Sequence, residues 1–356
     1  MARVGLAGCG AISETYLRVL AGFGNVEVVA CADLDHARAR ARASEFGVPR
    51  ACSTEELLAD PRIEVILNLT PPRAHAEVSI AALEAGKHVY QEKPLAVSRE
   101  EGGRILGAAE AAGRRVGCAP DTFLGAGLQT ARRLVDQGAI GEPVAATASF
   151  LNHGHEHWHP DPGFYYREGG GPLLDMGPYY LTALVSLLGP VRRVTGSVRA
   201  SFPARRSRAG EAIEVEVPTH CAGVLDFAGG AVGTLVTSFD VWTGLDAALT
   251  VYGFEGSLEL PDPNEFGGSI RLFRGGGTEW EDVPLRDGFA DESRGLGLAE
   301  MVDAIAAGRP HRASGELAFH VLDVAGCLYE SSREGRHREP GPGVRPEPLP
   351  DGWRPS

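Results

Sequence analysis

Val4-Gly5-Leu6-Ala7-Gly8-Cys9-Gly10-Ala11-Ile12-Ser13 opens the chain with a short apolar run, two closely spaced glycines and the start of a helical stretch that runs to about Leu20. An apolar run without alternation is what a parallel strand covered on both faces requires. Gly8 and Gly10 let backbone approach a pyrophosphate. The N–H groups of a helix beginning at Ala11 and Ile12 would face it with the positive end of the helix dipole. Ser13 stands where a third glycine is usual, and a small side chain still permits close helix–strand packing. A tight strand–helix turn without a ligand is the alternative reading, and the position between strand and helix at the head of the chain favours the dinucleotide.

The following residues repeat the strand–helix theme. A second strand, 26–32, ends at Asp33, whose carboxylate suits the ribose hydroxyls of NAD and repels the 2′-phosphate of NADP. Asp35 is placed to cap the next helix, and Arg38 lies near enough to leave NADP possible. A third buried strand, 63–69, is stopped by Thr70-Pro71-Pro72 beside the expected cofactor crevice. His75 follows at a helix start, with Val78, Ala81, Ala82 and Ala85 as its packing face and Gly86 as its stop. By itself His75 reads as a helix-terminal histidine that caps or packs. Then comes Lys87-His88-Val89-Tyr90 and the turn Gln91-Glu92-Lys93-Pro94-Leu95. A Glu-Lys pair at the C-terminal end of a strand, halted by proline, is poorly explained as packing, because ligands of open α/β sheets collect there. After a helix at 99–112 and a strand at 115–118 the nucleotide-type domain ends near residue 120.

Residues 121–356 read differently. A helix at 123–137 precedes strand-like runs at 144–151, 192–201, 219–227, 231–239, 247–254, 257–260 and 269–273, joined by short turns. These predict a large, mostly antiparallel open sheet covered on one face by helices, including those at 297–307 and 316–333. Residues 203–211 read as a solvated loop, and the segment from Pro340 as extended. An uncovered sheet face predicts a homodimer or homotetramer through this domain.

Composition narrows the function. A net charge of −13 over 356 residues argues against nucleic acid or an anionic membrane as the main partner. No apolar run reaches membrane-spanning length, and the immediate strand pattern leaves no room for a signal peptide. Six scattered cysteines suit free thiols in a reducing cytosol, so the expected location is cytoplasmic.

Two stretches of the second domain carry chemistry. Gly169-Gly170-Gly171-Pro172-Leu173-Leu174-Asp175-Met176-Gly177-Pro178-Tyr179-Tyr180 brings backbone close to something and then starts a helix. Asp175 and Tyr179, four apart, would share one helical face; a capping Asp and ordinary aromatic packing is the bland alternative. The second stretch is Asn152-His153-Gly154-His155-Glu156-His157-Trp158-His159-Pro160. Alternate histidines invite a metal, but this spacing presents them linearly and no distant Cys or His completes a site, so no metal is expected. Substrate contact by His155, His157, Trp158, Tyr166 and Tyr180 is the preferred reading, against a plain surface loop.

Glu92-Lys93-Pro94-Leu95, the glycine motif and the 169–179 segment together resemble the Gfo/Idh/MocA oxidoreductases. The family's G-G-G-x-x-x-D-x-G-x-H pattern falls on 169–179, with Tyr179 in the histidine position, as in the glucose-fructose oxidoreductase branch. The family's later aspartate falls on Thr182. The resemblance implies NAD(P)-dependent hydride transfer at a secondary alcohol or ketone of a sugar, sugar derivative or cyclitol. Lys93 would then be the base, Asp175 would hold its ammonium, and Tyr179 would share the proton. Gly8, Gly10, Ala11, Ile12, Asp33, Thr70, Pro71, His75, Glu92 and Lys93 would line the cofactor, and Lys93-Pro94 would be cis. Two rivals are a glycoside-cleaving enzyme that uses tightly held NAD transiently, and a non-enzymatic NAD(P)-sensing regulator.

Overall fold

The computed structural model describes residues 1–159, 161–244 and 248–356. The chain forms two compact units, Met1–Asp121 with Glu292–Phe319 and Pro350–Ser356, and Thr122–Asp291 with His320–Leu349. The sequence reading had assigned all of 121–356 to one domain; here two later segments group with the N-terminal unit.

The first unit is a six-stranded parallel sheet of β1 (Ala2–Ala7), β2 (Val26–Ala32), β3 (Ala51–Cys52), β4 (Val65–Asn68), β5 (His88–Gln91) and β6 (Val116–Cys118). Its order is β3-β2-β1-β4-β5-β6. The order reverses between β1 and β4, where a doubly wound sheet opens a crevice beyond its carboxyl ends. The helices are α1 (Ala11–Leu20), α2 (His36–Phe46), α3 (Thr54–Ala59), α4 (His75–Glu84) and α5 (Arg99–Ala112). Their starts follow from local chemistry. Asp35 accepts from the N–H groups of Ala37 and Arg38, Ser53 and Glu56 form a capping box, and Ser98 accepts from Glu101 N–H. The apolar count on α4 missed its inner face, which is His75, Ala76, Ser79, Ala82 and Leu83.

The returning segment completes this unit. Asn25 donates to Ala299 O (2.8 Å) and to Asp303 Oδ1 (2.7 Å), and Cys118 N–H donates to Ala313 O (3.0 Å). Asp121 Oδ2 accepts from Gly295 N–H and Gly297 N–H, both at 2.9 Å, and so caps the helix Leu296–Ala306.

The second unit carries an eight-stranded sheet. Its strands are β7 (Pro143–Leu151), β8 (Val191–Arg199), β11 (His220–Phe227), β12 (Val232–Ser238), β13 (Leu249–Gly253), β14 (Gly256–Leu260), β15 (Ile270–Arg274) and β16 (Glu281–Val283). A small hairpin, β9 (Ala204–Arg206) with β10 (Ala212–Glu214), stands apart. The sheet order is β16-β15-β14-β13-β7-β12-β11-β8. All pairs are antiparallel except β7–β12, because the first strand is inserted into the middle of later ones. Helices α6 (Ala126–Asp136), α7 (Pro172–Asp175) and α8 (Gly177–Leu188) cover it. Burial alternates along β11, leaving Ala222 and Val224 on an open face. The loop expected at 203–211 is mostly the β9–β10 hairpin, pinned by Arg205. Of the strand expected at 247–254, Ala247 lies outside the described residues, as does Pro160 of the histidine stretch. Among the described residues no helix is long and apolar enough to cross a membrane, and all six cysteines are buried free thiols.

Asp121 gives the first unit a pH-dependent cost. Burial pushes its carboxyl up to about 6, against the two backbone N–H bonds and the Arg294 charge that pull it down. A folded-state value above the unfolded one of about 3.9 favours the protonated form on folding. The stability this contributes is complete below pH 4 and is lost as pH rises through 6. Asp121→Asn keeps a carbonyl for the two N–H groups without the charge. Chemical denaturation should find it relatively more stable at pH 7.5 than at pH 4.5, compared with the parent; parallel pH profiles would refute the assignment.

Candidate active site

The glycine turn sits at the point where the sheet order reverses. Gly8 has φ +97°, and a Cβ there would lie 2.6 Å from the carbonyl carbon of Leu69, just past β4. Only glycine fits so close an approach of the two strand ends. Gly10 differs: a Cβ there would meet nothing within 4 Å, and no side chain caps α1 at this end. The turn thus leaves free space against the helix N-terminus, which suits a pyrophosphate.

Asp33 closes the other side. Its Oδ2 accepts from Cys9 N–H and its Oδ1 from Asp35 N–H, each at 2.8 Å. Both bonds fix the carboxylate while leaving lone pairs for ribose hydroxyls. Arg38 lies 3.6 Å from Asp33 and 3.8 Å from Asp35, so two carboxylates already compete for its charge. These donors and this space fit a nicotinamide dinucleotide.

Beneath the Gln91–Leu95 turn lies a polar network that the sequence did not announce. Asn68, His75, Ser79 and Gln91 are each 0% exposed. Thr70 Oγ1–H donates to Asn68 Oδ1 (2.6 Å), Asn68 Nδ2–H to Ser79 Oγ (2.9 Å), and Ser79 Oγ–H to Gln91 Oε1 (2.7 Å). Gln91 Nε2–H then donates to Leu95 O (2.7 Å). His75 spans the same two turns, with Nδ1 2.7 Å from Pro94 O and Nε2 2.8 Å from Thr70 O. Burial lowers the pKa of this ring, outweighing the pull of the two carbonyls. A neutral ring has one N–H. Both ring nitrogens face carbonyl oxygens, so the single N–H serves one of them, while the Gln91 amide 3.3 Å from Nδ1 gives its hydrogen to Leu95 O. His75 is therefore a brace behind the crevice, and full burial keeps it from touching a ligand directly.

The turn itself is held from three sides. Glu92 N–H donates to Asn68 O (3.0 Å), Tyr16 Oη–H of α1 donates to Glu92 Oε1 (2.8 Å), and Lys93 N–H donates to Glu92 Oε2 (3.0 Å). Lys93-Pro94 is cis, as expected, and Ala119-Pro120 is cis as well. Lys93 is half-buried.

In the second unit two of the three glycines serve internal packing. A Cβ on Gly170 would lie 2.6 Å from the carbonyl oxygens of Phe164 and Tyr165, and one on Gly171 would lie 2.8 Å from Pro218 O. Asp175 and Tyr179 do not share one continuous helix. The chain breaks at Met176, so Asp175 ends α7 and Tyr179 lies in the first turn of α8. Tyr179 is 7% exposed.

His155 reaches Asp175. Its Nε2 is 3.1 Å from Asp175 Oδ2, and Trp158 Nε1–H donates to its Nδ1 at 3.2 Å. An indole N–H can only donate, so Nδ1 accepts, and the neutral ring carries its proton on Nε2 toward the carboxylate. Tyr165 and Phe239 pack on the same ring at centroid distances of 4.5 and 4.7 Å. His157 and Trp158 stay exposed. Tyr166 and Tyr180, expected at the substrate, are core residues instead. Tyr166 is 0% exposed beside Ile213 and Phe239 and bonds Glu156; Tyr180 is 1% exposed and donates to Asp262 Oδ1 (3.1 Å). Residue 180 falls on a helix buried all round, so its phenol finds an internal acceptor. Among the described residues no group of three or more His, Cys, Asp or Glu side chains is arranged to hold a metal.

Residues 2–119 match the oxidoreductase family with an NAD-binding Rossmann fold, and residues 128–259 match the GFO/IDH/MocA C-terminal domain. The chain is 32% identical over 295 residues to the dTDP-3,4-didehydro-2,6-dideoxy-alpha-D-glucose 3-reductase of Streptomyces violaceoruber, covering 80% of this chain and 81% of the relative. It is 27% identical over 339 residues to inositol 2-dehydrogenase 1 of Saccharopolyspora erythraea, covering 94% of each. The fold is that of an NAD binding oxidoreductase from Klebsiella pneumoniae, with a TM-score of 0.84, 23% identity, and 96% and 99% of the two chains covered.

The two glycines separate folding from ligand space. Gly8→Ala should lower the melting temperature, since a strained backbone costs roughly 1–3 kcal/mol. Gly10→Ala should leave the melting temperature of the ligand-free protein unchanged and weaken NAD about tenfold or more, about 1.4 kcal/mol. Calorimetry and NAD titration check both; unchanged affinity in Gly10→Ala would show that the space is not the pyrophosphate site.

Proposed function

The chain belongs to the GFO/IDH/MocA oxidoreductase family, and from that premise we propose that it is an NAD(P)-dependent dehydrogenase of a sugar, sugar derivative or cyclitol with Lys93 as its base. NAD is the favoured cofactor, because Asp33 would repel a 2′-phosphate and Arg38 is engaged by Asp33 and Asp35. When bound, the nicotinamide supplies the hydride acceptor or donor. The substrate class rests on the relatives, an inositol 2-dehydrogenase and a deoxysugar 3-reductase among them.

The observation that carries the reading is the network under the 91–95 turn. Four fully buried polar side chains are spent on fixing the backbone that presents Lys93. Buried polar groups cost stability unless every one is paired, so this outlay fits a side chain that must be held in one place. In the proposed step the Lys93 amine takes the substrate hydroxyl proton as the C–H hydride leaves. The family pattern assigns Asp175 and Tyr179 to the same proton transfer, with Tyr179 returning the proton in the reduction direction. His155 is assigned a positioning role: its N–H holds Asp175 through Oδ2. His157 and Trp158 are proposed as substrate contacts, the indole face suiting the C–H face of a ring.

The open face of the eight-stranded sheet, with Val224 and Val232 exposed at 37% and 46%, supports a second copy packing there, as a homodimer or homotetramer. Six buried thiols suit a reducing, cytoplasmic setting.

Lys93→Ala should abolish turnover of sugars and cyclitols, followed as NADH absorbance, while NAD binding survives; turnover within a few-fold of the parent would remove Lys93 from the chemistry. For His155→Ala, kcat should fall about tenfold or more with little change in KM, and His155→Gln, which keeps an N–H for Asp175, should recover most of it. A rise in KM at constant kcat would instead make His155 a substrate contact.

A further inference from the structure

The second unit holds a cavity of about 960 Å³ among Asn152, His153, His157, Phe202, Arg206, Arg208 and Trp242. It lies along the same 152–159 segment whose His155 turns to Asp175. Small-molecule sites run from about 300 to 1,000 Å³, so this one exceeds the needs of a single hexose. The proposed dehydrogenase chemistry uses none of its side chains except His157.

Its charge is set by an unequal pairing. Arg205 is 6% exposed, and its guanidinium binds Glu156 Oε1 (2.7 Å) and Asp240 Oδ1 (3.0 Å) together with the carbonyls of His153 (2.7 Å) and Phe239 (3.0 Å). Tyr166 Oη–H also donates to Glu156. One guanidinium shared by two carboxylates leaves this trio a single net negative charge. Arg206 and Arg208 add two further cations, and among the described residues no carboxylate pairs with either. Arg206 gives one N–H to Gly210 O (3.2 Å), and Arg208 is fixed by its backbone N–H on Glu156 O (3.2 Å). In a chain of net charge −13 this is a locally positive hollow.

Its walls are aromatic as well. The rings of His153 and Trp242 stack at 3.5 Å and 14°, and Trp242 is 84% exposed. Phe202 also lines the cavity and lies under the Arg205 guanidinium at 5.6 Å. Flat apolar faces beside guanidinium forks match a ring with C–H faces and an anionic substituent.

We propose that this cavity binds the non-reacting part of an acidic saccharide, whose carboxylate or phosphate meets Arg206 and Arg208 while a sugar ring lies on Trp242. The proposal rests on the sugar dehydrogenase reading and narrows its substrate class.

Binding is measured by calorimetry on the NAD-loaded protein with D-glucuronate, D-glucose 6-phosphate and D-glucose, at 50 and 300 mM salt. The charged sugars should bind at least about tenfold more tightly than glucose, with the advantage shrinking at high salt. The better of the two tells carboxylate from phosphate. The double variant Arg206→Ala/Arg208→Ala should erase the charged-over-neutral ratio, and Trp242→Ala should weaken all three ligands alike. Equal binding of glucose and both charged sugars, or an unchanged ratio in the double variant, overturns the proposal. NADH absorbance separates the two claims: if the parent forms NADH with none of a panel of sugars and cyclitols the dehydrogenase assignment fails, whereas an arginine-dependent ratio in the same protein still supports the acidic-saccharide site.

Discussion

A hydrogen-bond chain sealed from water holds the nucleotide half in working order. It runs from Thr70 through Asn68 and Ser79 to Gln91 and Leu95, with His75 bridging its two ends. Inside a low-dielectric core each such bond is strong, and each missing partner is expensive. The two turns it joins, after β4 and after β5, have little freedom to shift separately. The glycine turn after β1 is tied in through the close approach of Gly8 to Leu69 and through the bond from Tyr16 to Glu92. Three strand ends thus share one mechanical frame, and the cofactor space and the Lys93 backbone both belong to it.

Much of this architecture was readable in residue order. Apolar runs closed by glycine or by Thr70-Pro71-Pro72 marked the parallel strands, and Asp35 marked a helix start. The short strands β3 and β16 and the β9–β10 hairpin were not readable, since two or three residues carry too little periodicity. The polar face of α4 was hidden for a different reason. His75 and Ser79 occupy positions where pattern reading expects apolar residues, and only their partners Asn68 and Gln91, seven and sixteen residues from His75, make them acceptable inside. The parallel β7–β12 pair was equally out of reach, because turn spacing reports how neighbours in sequence connect and says nothing of insertion.

The second unit shows how one residue type can be read correctly and placed wrongly. Tyr166 and Tyr180 carry the same polar tip as Tyr179, yet their hydroxyls end on Glu156 and Asp262 inside the fold. In the histidine stretch the alternation sends neighbouring rings to different sides. Inward, His155 is gripped by Trp158 and Asp175; to either side, His153 and His157 line a cavity. Arg205, which decides the electrostatics of that wall, sat in a stretch that reads as solvated loop.

The capping of the helix Leu296–Ala306 by Asp121 bears on how the protein is made. Asp121, Asn25 and Cys118 find their partners between Gly295 and Ala313, roughly 175 to 280 positions further along. The nucleotide half is therefore no detachable module. On the ribosome its sheet must wait for residues 295–313 before these partners are in place, a long exposure for a parallel sheet.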